Sequence, residues 1–136
     1  MKNFLFLMNR VGIFLNKIGT QIRRYLYQTE IFTKQDPFVK VWTTSTADNQ
    51  QTTATSENSG DVAFWNEKFS IDVQDSANEH LYVVVMDKNH LLSDRLIGKA
   101  KFACSDLNST QVEAWIRIYR EDGADAGEVL IGASLE

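Results

Sequence analysis

The feature that most constrains the fold is a series of short apolar segments separated by turn residues. The segments are rich in β-branched and aromatic residues, and several alternate apolar with polar positions, which predicts strands. They span 38–42, 64–73, 81–86, 97–103, 115–119 and 129–134, with a short edge strand near 52–55. With a first strand near the N-terminus, the pattern predicts an all-β, eight-stranded antiparallel β-sandwich. Its predicted core includes Val39, Val41, Phe69, Ile71, Val83, Val85 and Ile116.

The N-terminal segment is compatible with two interpretations. Apolar residues from Phe4 to Leu26 recur at helical spacing with polar residues opposite, which would form a basic amphipathic helix suited to an anionic membrane surface. Alternatively, Ile18, Thr20 and Ile22 alternate as the first strand, within residues 16–24. We therefore divide the chain into a divergent N-terminal segment (1–15), helical or disordered, and a sandwich domain (16–136).

The charge of the chain is uneven along its length. Five of the 14 basic residues lie in residues 1–27, which contain no acid, so nine basic residues face all 18 acids in the remainder, a net charge of −9. Nucleic acid is therefore not the expected partner, because phosphate binding requires clustered Lys and Arg. The single cysteine, Cys104, cannot form an internal disulfide, and it has no neighbouring His in the sequence with which to build a nucleophile. We expect no enzyme activity.

Four segments, in order, resemble the C2 domain family. LYQTEIFTKQDPFVKVW (26–42) is similar to the first calcium loop and second strand of that family, and FWNEKFSIDV (64–73) is similar to its Trp-Asn-Glu strand. VVVMDKNHLLSDRLIG (83–98) is similar to the strand and third calcium loop, and residues 113–136 resemble the last two strands. The resemblance covers about residues 26–136 and implies a membrane-docking β-sandwich.

The resemblance also implies a calcium site between loop 1 (30–36) and loop 3 (87–95). Calcium takes six to eight oxygen ligands, largely carboxylates and carbonyls. The residues at or beside the family's ligand positions are Glu30, Asp36, Asp87, Asn89, Asp94 and Arg95. Asn89 lacks the charge of the usual aspartate and Arg95 replaces another aspartate with a cation, so we expect weak binding of one ion at most. The alternative is that Asp36 and Asp87 accept hydrogen bonds from loop amides and form a salt bridge with Arg95.

Apolar residues at the loop tips are the expected membrane contacts. In the family such residues enter the lipid interface, and the matching positions here are Ile31, Phe32, His90, Leu91 and Leu92. Phe32 or Leu92 could instead fold back and pack under its own loop. Residues 43–63 contain no Lys or Arg, so we expect poor selectivity for phosphoinositides.

These observations predict a small, stand-alone, monomeric module that is cytoplasmic and peripheral to the membrane. It would dock to anionic phospholipid membranes through loops 1 and 3, with weak or residual calcium dependence. A calcium-independent module that binds a protein partner instead of a membrane is the first alternative. In the second alternative the basic N-terminus is the membrane anchor and the sandwich is its cargo.

Overall fold

The computed structural model describes residues 10–17, 35–56, 64–89, 91–110 and 112–136. Within these ranges the chain is all-β, and two single-turn 3-10 helices, Thr44–Thr46 and Cys104–Asp106, follow strands. The strands are β1 (Arg10–Lys17), β2 (Pro37–Thr43), β3 (Gln51–Thr52), β4 (Phe64–Asp72), β5 (His80–Asp87), β6 (Arg95–Ala103), β7 (Val112–Tyr119) and β8 (Asp125–Leu135). No helix among the described residues is long and apolar enough to span a bilayer.

All described strand pairs are antiparallel, in the order β3-β2-β5-β6-β7-β8-β1-β4. Strands β6 and β7 pair at one position only, Lys99 with Tyr119, in the described part of the chain. This single pair divides the order into two four-stranded sheets that face each other across a common core. The predicted eight-stranded antiparallel sandwich is therefore confirmed.

The core follows from the alternation of apolar residues along each strand. In β5, Leu81, Val83 and Val85 are fully buried, whereas the side chains between them are partly exposed on the outer face. Val39, Val41 and Ile71 are also buried as predicted, and Phe69 and Ile116 are half-buried and pack against the same cluster.

The first strand begins earlier than the sequence indicated. β1 pairs with both β4 and β8, and Val11, Ile13 and Leu15 are buried between the sheets. Residues 10–17 are therefore strand, and the helical interpretation is wrong for them, because only an extended chain buries every second residue. The rest of the predicted 16–24 strand lies outside the described residues.

A bulge in β4 explains the Trp-Asn-Glu motif. The register between β1 and β4 shifts between Leu15 and Lys17, opposite Asn66, which has a left-handed φ of 53°. Asparagine tolerates this conformation better than most residues. Trp65 is buried and donates its indole N–H to the Pro37 carbonyl at 3.1 Å, which ties β4 to the start of β2.

Strand direction gives the sandwich two distinct ends. At one end, Pro37 at the start of β2 lies opposite Asp87 at the end of β5, and Asp87 lies opposite Arg95 at the start of β6. We call this the loop end. The opposite end contains Thr43 and the start of β5 at His80.

Candidate functional site

Two aspartates from turns that are distant in sequence meet at the loop end. The Asp36 N–H donates to Oδ1 of Asp87 at 2.9 Å, and the Lys88 N–H donates to the Asp36 carbonyl at 2.9 Å. Both hydrogen bonds follow from the β2–β5 register, which places Pro37 opposite Asp87. The base of loop 1 and the base of loop 3 are therefore fixed to each other.

Asp87 is almost fully buried, with 2% of its surface exposed. A carboxylate so far removed from water requires hydrogen-bond donors or a cation as partners. The Asp36 amide is one such donor, which agrees with the part of the alternative that concerns Asp87. Pro37 strengthens the same base, because its carbonyl also accepts the Ser56 N–H at 2.8 Å.

Loop 3 is ordered by its own polar side chains. Oδ1 of Asn89 accepts the N–H groups of Leu91 and Leu92, each at 3.0 Å, and Oδ1 of Asp94 accepts the Asn89 N–H at 2.9 Å. The second carboxylate oxygen of Asp94 lies 3.7 Å from Nζ of Lys88. Asn89 and Asp94 therefore close a tight turn whose tip is the leucine pair.

The leucine pair is exposed to an unusual degree for apolar side chains. Leu91 is 93% exposed and Leu92 is 73% exposed. Single exposed apolar residues are common, but two adjacent leucines on a loop tip form a contiguous apolar surface of the kind found at interaction sites. Leu92 therefore does not fold under its own loop in this structure.

Four predicted site residues lie outside the described residues. They are Glu30, Ile31, Phe32 and His90. The contribution of loop 1 to a calcium site or to a membrane contact therefore stays a prediction.

The described oxygen donors fit a calcium ion only in part. Within the ranges that the structure describes, no group of three or more His, Cys, Asp or Glu side chains is arranged to hold a metal ion. The Asn89 oxygen is already hydrogen-bonded to two amides, and Asp94 is bonded to loop 3 itself. Asp36 and Asp87 are the remaining acids of the predicted set at the base of the two loops.

The opposite end contains a second buried carboxylate that sequence reasoning missed. Glu79 is 8% exposed and accepts three backbone N–H groups, from Ser45 at 2.8 Å, Gln74 at 2.8 Å and Asp75 at 2.5 Å. Burial by itself raises the pKa of Glu79, but hydrogen bonds from Ser45, Asp75 and Gln74 outweigh it and leave the pKa lowered. In the sequence, Glu79 is one acid in a polar turn. No local pattern indicates that backbone amides from two segments will surround its carboxylate.

The buried Cys104 belongs to the same end of the sandwich. Its amide donates to the Glu79 carbonyl at 2.9 Å. Burial, with the negative charge of Glu79 as a second cause, raises the pKa of the Cys104 thiol to about 11. A thiol that stays protonated at neutral pH is a poor nucleophile, so Cys104 serves as a small buried side chain.

Comparison with known proteins shows the family. A sequence model of the C2 domain matches residues 21–118, so this chain belongs to the C2 domain family. C2 domains typically bind calcium and phospholipid, and they are generally binding modules rather than catalysts.

One curated relative and two solved structures illustrate the similarity. Synaptotagmin-4 of Arabidopsis thaliana is 30% identical over 97 residues, which is 71% of this chain but 17% of the relative, so this chain spans under a fifth of its length. A C2 domain of plant Extended Synaptotagmin 1 superposes with a TM-score of 0.79 at 16% identity, over 95% of each chain. A calcium-bound pair of C2 domains from Extended-Synaptotagmin 2 matches with a TM-score of 0.71 at 15% identity, over 94% of this chain and 42% of that one.

Proposed function

We propose that this chain is a non-catalytic module that docks to anionic phospholipid membranes through the tip of loop 3, assisted by loop 1. The observation that carries the proposal is the adjacent pair of exposed leucines, Leu91 and Leu92. Keeping this apolar surface in water is unfavourable, and transfer into the lipid interface recovers that free energy.

Three features of the loop end support docking by a preformed tip. The Asn89 side chain holds the amides of both leucines, so the turn does not have to fold on arrival. Lys88 is half-exposed at the base of the loop, where a cation can meet lipid phosphate. The fixed contact between Asp36 and Asp87 keeps the two loop bases together during docking.

Calcium dependence is proposed to be weak, with one ion at most. Asp36 and Asp87, with Glu30 from the part of loop 1 outside the described residues, would hold the ion. Asn89 and Asp94 would assist only by giving up hydrogen bonds within loop 3. An ion bound there would reduce the negative charge of the loop end as it approaches anionic lipid.

Liposome sedimentation tests this function directly. The full chain is mixed with vesicles of phosphatidylserine and phosphatidylcholine, in calcium or in chelator. We expect Leu91→Ser combined with Leu92→Ser to weaken binding roughly tenfold or more, because two apolar side chains no longer enter the interface. The matched control, Leu91→Met with Leu92→Met, retains apolar side chains at the same positions and should bind like the parent chain.

The same experiment separates the alternatives. Equal binding by the serine and methionine variants would contradict docking through loop 3. Binding that survives the serine changes but is lost when Lys2, Arg23 and Arg24 are all changed to Glu would favour the basic N-terminus as the anchor. Unchanged melting temperatures in both leucine variants are expected, since neither side chain is buried. A calcium requirement that chelator abolishes completely would contradict weak calcium dependence.

A further inference from the structure

A groove runs along the boundary between β6 and β7, away from the loop tip. It has a volume of about 900 Å³ and is open to solvent along one side. Apolar side chains line its floor, among them Val84, Ala100, Phe102 and Ile116. We call it the seam groove, because it follows the line where the two sheets are joined only at Lys99 and Tyr119 in the described part of the chain.

The rim of the seam groove is basic in an acidic protein. Lys99, Lys101, Arg117 and Arg120 all line it. They are four of the nine basic residues that follow residue 27, although that part of the chain carries 18 acids. Glu121 is the acid among the lining residues. Three of the four cations pair with neighbouring acids, so the rim complements a ligand that carries carboxylates by exchanging those pairs.

The existing ion pairs of the rim are weak enough to exchange. Lys99 pairs with Glu121 at 3.0 Å, and the side chains of both are at least half exposed. Arg117 pairs with Asp125 at 3.3 Å, again with both side chains about half exposed. Solvent-exposed pairs of this kind contribute little, so carboxylates of a ligand can replace them at small cost.

The edge of β6 offers the second element of recognition. Its pairing with β7 is limited to Lys99 within the described residues, so the segment 100–102 borders the groove without a paired strand on that side. A strand edge of this kind can accept an additional strand from a partner. Such a strand would place alternate side chains toward the apolar floor and toward the basic rim.

We infer that the seam groove binds an extended acidic peptide of a protein partner, which adds to the edge of β6. Apolar side chains of the peptide would cover Phe102 and Ile116, and its carboxylates would meet Lys101 and Arg117. The stacked rings of Trp42 and Tyr82, with centroids 5.4 Å apart, form one wall of the groove. A lipid headgroup is a poorer fit, because it could meet the basic rim but has no apolar part to cover Phe102 and Ile116 and no backbone to pair with β6.

A peptide selection tests the inference. A displayed library of random peptides of about ten residues, enough for one strand, is selected on the full chain. We expect enriched sequences that combine Asp or Glu with apolar residues at alternate positions. Absence of enrichment, or enrichment without acidic residues, would overturn the inference.

Variants then locate the binding site of an enriched peptide by fluorescence anisotropy. Lys101→Glu combined with Arg117→Glu should weaken binding roughly tenfold or more, because two attractive pairs become repulsive. Lys40→Glu with Lys68→Glu makes the same charge change outside the groove and should change binding less than about twofold. If the first variant does not fold, Lys101→Gln replaces it with a smaller expected loss. Equal effects of the groove and control variants would overturn the assignment.

Methylation of the peptide backbone tests strand addition separately. Only one set of alternating amides in an added strand faces β6, so methylating that set should abolish binding and methylating the other set should not. Equal tolerance of both sets would contradict an added strand.

Competition by phosphatidylserine vesicles would reassign the groove to lipid, and a concentration-dependent dimer lost in Lys101→Glu with Arg117→Glu would reassign it to a second copy.

Peptide binding and membrane docking are independent in this scheme. Leu91→Ser with Leu92→Ser should retain the full affinity for the enriched peptide, because the loop tip does not line the seam groove. Failure of the liposome experiment would therefore leave the peptide result interpretable.

Discussion

Each end of the sandwich contains a buried carboxylate, but the surfaces around the two differ. At the loop end, Asp87 accepts the amide of Asp36, and an exposed apolar tip follows it in the chain. At the opposite end, Glu79 accepts three amides from two segments, the 3-10 turn after β2 and the connection between β4 and β5, and the turn before it is polar. In both places the buried carboxylate holds loops together. The two ends differ in the residues that neighbour it, which are exposed and apolar at the loop end and polar at the opposite end.

The comparison separates stability from function. Glu79 links the 3-10 turn after β2 to the connection between β4 and β5, so its loss should act on folding. Leu91 and Leu92 contact little of their own chain, so their loss should act on docking. Stability and binding measurements on variants of both ends can therefore test whether the opposite end acts on folding and the loop end acts on docking.

The largest effect is expected from Glu79→Ala. Three backbone donors at a buried position lose their acceptor, and such losses cost about 3 kcal/mol in total. Urea unfolding of the full chain measures the change in free energy. The control is Asp48→Ala, which removes an exposed carboxylate from the nearby turn and should change stability by less than about 0.5 kcal/mol. Similar losses in both variants would mean that the three hydrogen bonds do not stabilise the fold.

A pH series refines this prediction. The folded pKa of Glu79 lies below its ordinary value of 4.5, so ionised Glu79 contributes stability that is fully present above that pH. The contribution is lost as the pH falls through the folded pKa. We expect the stability difference between the parent chain and Glu79→Gln, measured by urea midpoints, to be constant above about pH 5 and to shrink as the pH falls further. A difference that does not change with pH would contradict a lowered pKa.

A smaller effect on stability than that of Glu79→Ala is expected at Asn89. Asn89→Ala removes the acceptor for the amides of Leu91 and Leu92, but the turn is at the surface, so the loss should be below about 1 kcal/mol. Liposome affinity should fall a few-fold, because the tip must then be ordered on docking. Asn89→Asp retains an acceptor and serves as the control for the turn. An unchanged affinity in Asn89→Ala would show that preordering of the tip is unimportant.

Much of the fold could be predicted because each later strand carries its own signal. Alternation in 64–73 and 97–103 and the apolar run at 81–86 located strands without knowledge of their partners. The sequence prediction placed the first strand later in the chain than β1 lies, because Val11 and Leu15 fit both a helical and an alternating pattern. Pairing with β4 and β8 decides between them, and that information is not local.

The candidate site could be predicted only where one continuous segment of the sequence defines it. The leucine pair can be read directly from DKNHLLSD, whereas the role of Asn89 as a cap depends on how the turn closes. The seam groove combines Lys99 and Lys101, which alternate visibly in β6, with Arg117 and Arg120 from another part of the chain. Their convergence is a property of the sandwich, so no single segment reveals it.

The bulge at Asn66 connects the edge strand β4 to the loop end. Its left-handed backbone aims Trp65 at the carbonyl of Pro37, one residue from the aspartate that holds the two loop bases together. An exposed residue near the start of the edge strand β4 is thereby connected to the loop end. Replacing Asn66 by a β-branched residue would strain this backbone, so we expect it to disturb the Trp65–Pro37 hydrogen bond beside the loop bases, although the side chain at position 66 is exposed.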